Sequence, residues 1–444
     1  MSYRTIVDKI AAEIAGGTLR PGDRLPPQRE FADRHGIAAS TASRVYGELV
    51  RRGLVAGEVG RGTYVRAAAA SAFTLGEPSS ERVNLEINLP VLPGQAELLG
   101  RSLAPLVKRR SVLDTALQAA NVTGSPGARH IVAAFLSRRR WSANPDGICF
   151  TGNGKQALAA TIAALVPAGE RLGVEAITYS MVKVLAARLG IQLVPLAMDE
   201  HGIRPDALAA AQRKTPMRAI YCQPTLHNPL GMTMPVKRRA DIAALLERHD
   251  IVAIEDLVYA FLADNEAPLA AAAPNHVVVI DSLSKRIAPG ISIGYIAAPD
   301  SLAPAMAAGV RAGAWGPSGL SMEVCTRWIA DGTVTTISAD KSRDAVVRQR
   351  LLRKTFAGLT LQSNPNAYHA WFVLPERWRA ETFVAAAAQR GIGITPAAAF
   401  TTSPGYAPNA VRIALASPAI DVLEVALRTL AAMAREQPRE WQTE

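Results

Sequence analysis

Short apolar runs recur along most of the chain and set its pattern. Val277-Val278-Val279-Ile280 has the length and β-branched composition of a strand buried on both faces. Arg171 to Ile177, Gln192 to Leu196, Met217 to Cys222 and Ile251 to Glu255 read the same way, with alanine- and leucine-rich helical stretches between several of them. Gly152-Asn153-Gly154-Lys155-Gln156-Ala157-Leu158 opens one such helix, which continues to about Val166, where Pro167 follows. Alternation of strand and helix predicts a mostly parallel sheet with helices on both faces.

The N-terminal stretch has a different rhythm. Ile6, Ile10 and Ile14 fall at helical spacing, and Gly16-Gly17 stop the helix. After the turn Pro21-Gly22-Asp23, a second helix is predicted from about Pro27 to His35, ended by Gly36. A third runs from about Ala39 to Arg52 and ends at Gly53, with Ala42, Val45, Tyr46 and Leu49 on a core face and Ser40, Thr41 and Arg44 on the other. Leu54 to Val59 and Thr63-Tyr64-Val65 then read as two strands around Gly60-Arg61-Gly62. Residues 67–82 are first alanine-rich and then carry Gly, Pro and Ser, the composition of a linker. Val83 to Asn88 begins a larger domain.

Candidate chemistry sits in the loops after the predicted strands. Asn228, Asp256 and Lys285 each follow one, at intervals of 28 (256 − 228) and 29 (285 − 256) residues. Each interval is about one strand–helix–strand unit, which places all three at the sheet edge where open α/β folds bind ligands. Taken singly they are ordinary: an asparagine beside proline is a turn residue, an aspartate there a helix cap, and a lysine after a strand a surface group. Together, with Tyr259, they suit pyridoxal phosphate. A carboxylate keeps the pyridine nitrogen protonated, a phenol and an amide bind the ring hydroxyl, and a lysine holds the aldehyde. Gly154-Lys155 opens a helix whose N–H groups suit a phosphate.

Composition narrows the class. The chain has 444 residues, too many for one ordinary core, and its 49 % apolar fraction indicates a folded protein of two or three domains. Lys plus Arg exceed Asp plus Glu by 49 − 38 = 11, a balance that favours anionic partners. The first 66 residues contribute 11 − 7 = +4 of this. Cys149, Cys222 and Cys325 are odd in number and widely spaced, which argues against a disulfide framework and fits a reduced compartment. The histidines do not cluster with them, so no metal site is expected. No long apolar span is present and the N-terminus reads as a helix rather than a signal peptide, so the expected location is the cytoplasm.

Two resemblances follow from these residues. Leu25-Pro26-Pro27-Gln28-Arg29-Glu30, Gly36-Ile37, Ser40-Thr41 and Gly60-Arg61-Gly62-Thr63-Tyr64-Val65 resemble the GntR family of bacterial regulators. The resemblance implies a winged helix-turn-helix over 1–66, an α+β domain binding double-stranded DNA. Arg29, Ser40, Thr41 and Arg44 would then lie at the major groove or its phosphates, with Arg61 on the wing. Ala38-Ala39 begins the recognition helix where many relatives carry a polar residue.

From about residue 82 onward the chain resembles class I aminotransferases of fold type I. That implies an α/β pyridoxal-phosphate-dependent transferase domain over 83–444, with a large subdomain at about 120–310 and a small C-terminal α+β subdomain at about 340–444. Carried over by position, Lys285 forms the internal aldimine and Asp256 pairs with the pyridine nitrogen. Asn228 and Tyr259 face the ring oxygen and Tyr179 stacks on the ring. Gly154, Lys155 and Ser282 contact the phosphate, and Arg412 clamps a carboxylate. One departure stands out: Ser292 occupies the position of a phosphate-binding arginine, which removes a charge-assisted pair worth about 1.5–3 kcal/mol per hydrogen bond. Arg286 and Lys155 are the candidates to compensate. The head and body together resemble the MocR subfamily, which implies a homodimeric transcription regulator sensing pyridoxal phosphate or an amino compound. The rival expectations are a working aminotransferase with an appended head, and a DNA-binding protein whose body is only a dimerisation scaffold.

Overall fold

The computed structural model describes residues 3–16, 18–19, 22–52, 54–58, 62–65, 83–118, 120–263, 266–403 and 407–436. Gly17, Pro21, Gly53, Gly60, Arg61 and the expected linker at 67–82 lie outside them. The chain divides into two compact units: residues 1–87 with 350–362 and 369–444, and residues 88–349 with 363–368.

The head belongs to the first unit. It comprises α1 (Tyr3–Ala15), β1 (Arg24–Leu25), α2 (Gln28–His35), α3 (Ala39–Arg51), β2 (Val55–Glu58) and β3 (Gly62–Val65). The three strands form an antiparallel sheet in the order β1-β3-β2. Ala42, Val45, Tyr46 and Leu49 are all buried, together with Ile6, Ile10, Leu25, Phe31 and Val65. The Tyr46 hydroxyl donates to the Pro26 carbonyl, which ties α3 to the start of α2. Gly36, at φ 60°, closes α2 in the left-handed conformation that a side chain disfavours. β4 (Val83–Asn84) is the next strand of this unit.

The second unit is built on a seven-stranded sheet. Its strands are β5 (Ile148–Thr151), β6 (Arg171–Glu175), β7 (Gln192–Leu196), β10 (Ala219–Cys222), β11 (Val252–Asp256), β12 (Val277–Ser282) and β13 (Gly294–Ala297). A small hairpin of β8 (Met198–Asp199) and β9 (Gly202–Ile203) lies between β7 and β10 in the chain. The spatial order is β5-β13-β12-β11-β10-β6-β7, and only β13 runs antiparallel to its neighbours. Every residue of β12 is buried. Val277 and Val279 join one core while Val278 and Ile280 join the other, as the two-residue period of a strand requires. The helix Gly154–Leu165 supplies Ala157, Leu158, Ala160 and Ile162 to the second of these cores.

The rest of the first unit centres on β14 (Leu361–Ser363), β15 (His369–Val373), β17 (Thr395–Pro396) and β18 (Ala410–Ala414), in the order β14-β15-β18-β17. β16 (Ile392–Gly393) pairs in parallel with β4. Leu85 therefore shares a core with Phe356, Phe372, Phe383, Ile413 and Leu427, so the start of the body packs with its C-terminal part. Among the described residues, no helix is long and apolar enough to cross a membrane.

Candidate functional site

The site grows from the C-terminal ends of adjacent strands in the second unit. In the β11–β12 register Asp256 lies opposite Ile280, so Ser282 and then Lys285 emerge beside it. Leu283 to Ile287 form a tight turn, closed by the Ile287 N–H donating to the Leu283 carbonyl at 2.6 Å. Lys285 rides on this turn, and its Nζ donates to the Asn88 carbonyl at 2.6 Å.

Asp256 is 6 % exposed. Its Oδ2 accepts from the Tyr221 hydroxyl at 2.8 Å and from Gln223 Nε2 at 2.9 Å, and its Oδ1 accepts from the Val258 N–H at 3.0 Å. Burial pushes its pKa up to about 6, against the opposing pull of those three hydrogen bonds. Gln223 also accepts from the Asn228 N–H at 3.0 Å, so one amide links Asn228 to Asp256. Asn228 and Tyr259 are both buried. Behind them lies a second buried pair: His227 Nε2 is 3.1 Å from Glu175 Oε2, and the Leu230 N–H donates to His227 Nδ1 at 3.3 Å.

The start of a helix approaches Ser282, three residues before Lys285. The helix Gly154–Leu165 is capped by the Asn153 side chain, which accepts from the Gln156 N–H at 3.1 Å. A Cβ on Gly154 would lie 2.9 Å from Ser282 Oγ, so any side chain here would push the Ser282 hydroxyl aside. Ser282 Oγ accepts from the Ser284 N–H at 3.3 Å, and the Ser284 and Ser292 hydroxyls are 2.7 Å apart. Lys155 follows on the same helical turn, and desolvation lowers its pKa. Tyr179 is half-buried against the core that holds Val278 and Ile280.

Arg286, next to Lys285, is held by partners of its own. Its Nη2 is 2.7 Å from Asp281 Oδ2, and its guanidinium sits between the rings of Phe135 and Phe261, at 4.9 and 4.8 Å. A buried guanidinium with a carboxylate partner and two aromatic faces is a structural fixture. Among the sequence candidates this leaves Lys155 as the cation on the turn beside Ser282. Arg412 is on β18 in the first unit, where it donates to Thr395 Oγ1 at 3.2 Å and to the Glu86 carbonyl.

In the head, Arg29 on α2 is exposed; on α3, Ser40 and Arg44 are exposed and Thr41 is half-buried. The Arg44 guanidinium lies 4.6 Å over the Tyr3 ring. Arg61 is outside the described residues.

Several partners escaped the sequence reading: Tyr221, Gln223, Asn88, Lys341 and the Glu175–His227 pair. Tyr221 and Gln223 flank the end of a predicted strand, a position that could have flagged them. Asn88 is buried, and its side-chain amide has no hydrogen-bond partner among the described residues.

Residues 83–430 match the family described as Aminotransferase class I and II. The chain belongs to that family. This aminotransferase-class chain also carries, at residues 2–65, a match to the family described as Bacterial regulatory proteins, gntR family. Relatives that align along most of this chain are named as regulators. One is the "Uncharacterized HTH-type transcriptional regulator YdeF" of Bacillus subtilis, 28 % identical, with 96 % of this chain and 93 % of the relative aligned. Another is the "Vitamin B6 salvage pathway transcriptional repressor PtsJ" of Salmonella typhimurium, 24 % identical, over 86 % and 87 %. The "Probable rhizopine catabolism regulatory protein MocR" of Rhizobium meliloti is 25 % identical over 75 % and 73 %. Among solved structures, an archaeal alanine:glyoxylate aminotransferase superposes with a TM-score of 0.72 at 21 % identity, covering 80 % of this chain and 91 % of that one. Pyrococcus horikoshii kynurenine aminotransferase gives 0.72 at 20 %, with the same coverage. These establish fold type I for the aminotransferase part.

Proposed function

We propose that this aminotransferase-class chain is a DNA-binding transcription regulator that holds pyridoxal phosphate at Lys285 and responds to the cofactor or to an amino compound. The observation that carries the cofactor half is the buried Asp256 carboxylate at the end of β11, with Lys285 on the turn that follows its paired neighbour β12. Its pKa is held up by burial and held down only partly by neutral donors, so a cationic N–H at that place is favoured. The close approach of Gly154 to Ser282 is the second point of fit.

When bound, the group supplies an aldehyde and an electron-withdrawing ring. The chain's own residues would do the rest. Asp256 Oδ atoms hold the ring nitrogen's proton, while Tyr221 and Gln223 fix the carboxylate's orientation. Lys285 Nζ offers the amine, exchanging its present bond to the Asn88 carbonyl. The helix N-terminus at Gly154, the Ser282 hydroxyl and Lys155 meet the phosphate, with no guanidinium from the Ser292 position. Tyr179 stacks, Asn228 and Tyr259 bind the ring oxygen, and Arg412 is the fork for a ligand carboxylate.

The DNA half rests on the gntR-type head with Arg29, Ser40, Thr41, Arg44 and Arg61 as its contacts. That one relative is named for vitamin B6 salvage supports a regulator of this kind. We place it in the cytoplasm as a homodimer. A second reading, an active aminotransferase with a head, is favoured by the retention of both Lys285 and Asp256. The test takes DNA selected from a random duplex library on the full chain, then titrates binding with and without pyridoxal phosphate. The expected result is a shifted midpoint in the wild type and none in Lys285→Ala. An unshifted midpoint together with steady turnover of an amino donor and a keto acid would favour the enzyme.

A further inference from the structure

Lys341 is fully buried in the second unit, on the helix Thr333–Thr355. Its Nζ donates to the Ile287 carbonyl at 2.6 Å and to the Lys285 carbonyl at 3.2 Å. Gln95 Nε2 reaches the same Ile287 carbonyl at 2.9 Å. Two side chains from separate helices thus grip the end of the Leu283–Ile287 turn that presents Lys285. Buried lysines are rare because desolvating an ammonium is costly, and an apolar or neutral side chain could fill this space.

We propose that Lys341 is a positioning residue for Lys285: through the Ile287 and Lys285 carbonyls it clamps the turn that presents the Lys285 amine. The proposal rests on the reading of Lys285 as the amine that receives the cofactor. The groups around Lys341 are few. Asp344 and Arg348 lie on its own helix, paired with each other at 2.7 Å. From the loop at 363–368, the Tyr368 hydroxyl donates to the Lys341 carbonyl and to Asp344. Gln95 is neutral, and Lys285 is the facing cation. Burial first, and the Lys285 charge next, push the Lys341 ammonium down to about 7.

The test compares wild type with Lys341→Met, Lys341→Gln and Gln95→Leu in the full chain, with thermal melting to confirm folding. Competitive acylation followed by peptide mass spectrometry gives the reactivity of Lys285 relative to the other lysines in the chain without cofactor. The rise of the visible band after mixing with pyridoxal phosphate gives the rate of capture. Lys341→Met frees the turn and is expected to change the relative reactivity of Lys285 severalfold and to slow capture about tenfold. Lys341→Gln keeps a donor and should recover part of both, and Gln95→Leu, which removes the second grip, should act in the same direction as Lys341→Met. Should Lys341→Met fail to fold, Gln95→Leu decides. A folded Lys341→Met with wild-type reactivity and capture overturns the proposal. A wild type without a visible band sinks the cofactor reading instead, while the acylation pattern still decides the role of Lys341.

Discussion

Replacing Asp256 with asparagine keeps the shape and removes the ionisation, and its effect on stability has a definite dependence on pH. Burial raises the Asp256 pKa from 3.8 to about 6. Between those values the folded chain keeps a proton that the unfolded chain has released. Stability is therefore lost as pH rises through that window, and the loss is complete above about pH 6. A shift of about 2 units at 1.36 kcal/mol each amounts to roughly 3 kcal/mol. The amide introduced by Asp256→Asn has no such titration.

The asparagine also turns one acceptor into a donor facing Tyr221 and Gln223, but that cost is constant with pH, so the slope isolates the charge. Urea unfolding of both proteins without cofactor, followed by tryptophan fluorescence at about pH 4 and about pH 7.5, should show the variant gaining roughly 2–3 kcal/mol relative to wild type across the range. Parallel curves for the two proteins would refute a buried, cation-free carboxylate at this position. Added pyridoxal phosphate should stabilise wild type more than the variant at the higher pH.

Two further outcomes follow from the geometry. Gly154→Ala places a methyl against Ser282, whose Oγ lies 2.9 Å from the new Cβ; the crowding of about 1–3 kcal/mol should weaken pyridoxal phosphate about tenfold or more by fluorescence titration, and unchanged affinity would remove this helix start from the phosphate site. Arg44→Ala should weaken selected DNA and reduce the salt dependence of binding by about one phosphate equivalent, and an unaltered salt slope would take Arg44 off the backbone.

The strands were legible because they are buried on both faces, which leaves near-continuous apolar runs such as Val277–Ile280. Their ends were less so: Met217 and Ile177 extend runs that the ladder abandons at Ala219 and Glu175, since apolar character continues past the last paired residue. The antiparallel direction of β13 left no trace, because a period of two is the same in either direction. Lys285, Asp256 and Asn228 stood out through their spacing alone. Gln223 and Asn88 acquire meaning only from contacts made at a distance in sequence, and Lys341 reads as an ordinary polar residue of a polar helix. Arg286, a cation next to the candidate lysine, pairs with Asp281, five residues earlier, a partner that its place in the sequence did not single out.

The central claim is covalent capture of pyridoxal phosphate by one lysine. The direct measurement is the visible spectrum of the purified chain with the cofactor, followed by borohydride reduction and peptide mass spectrometry, with Lys285→Ala as control. The account predicts a visible band that the control lacks and a reduced adduct located on Lys285. A wild-type spectrum identical to that of the control, or an adduct on any other lysine, would contradict it.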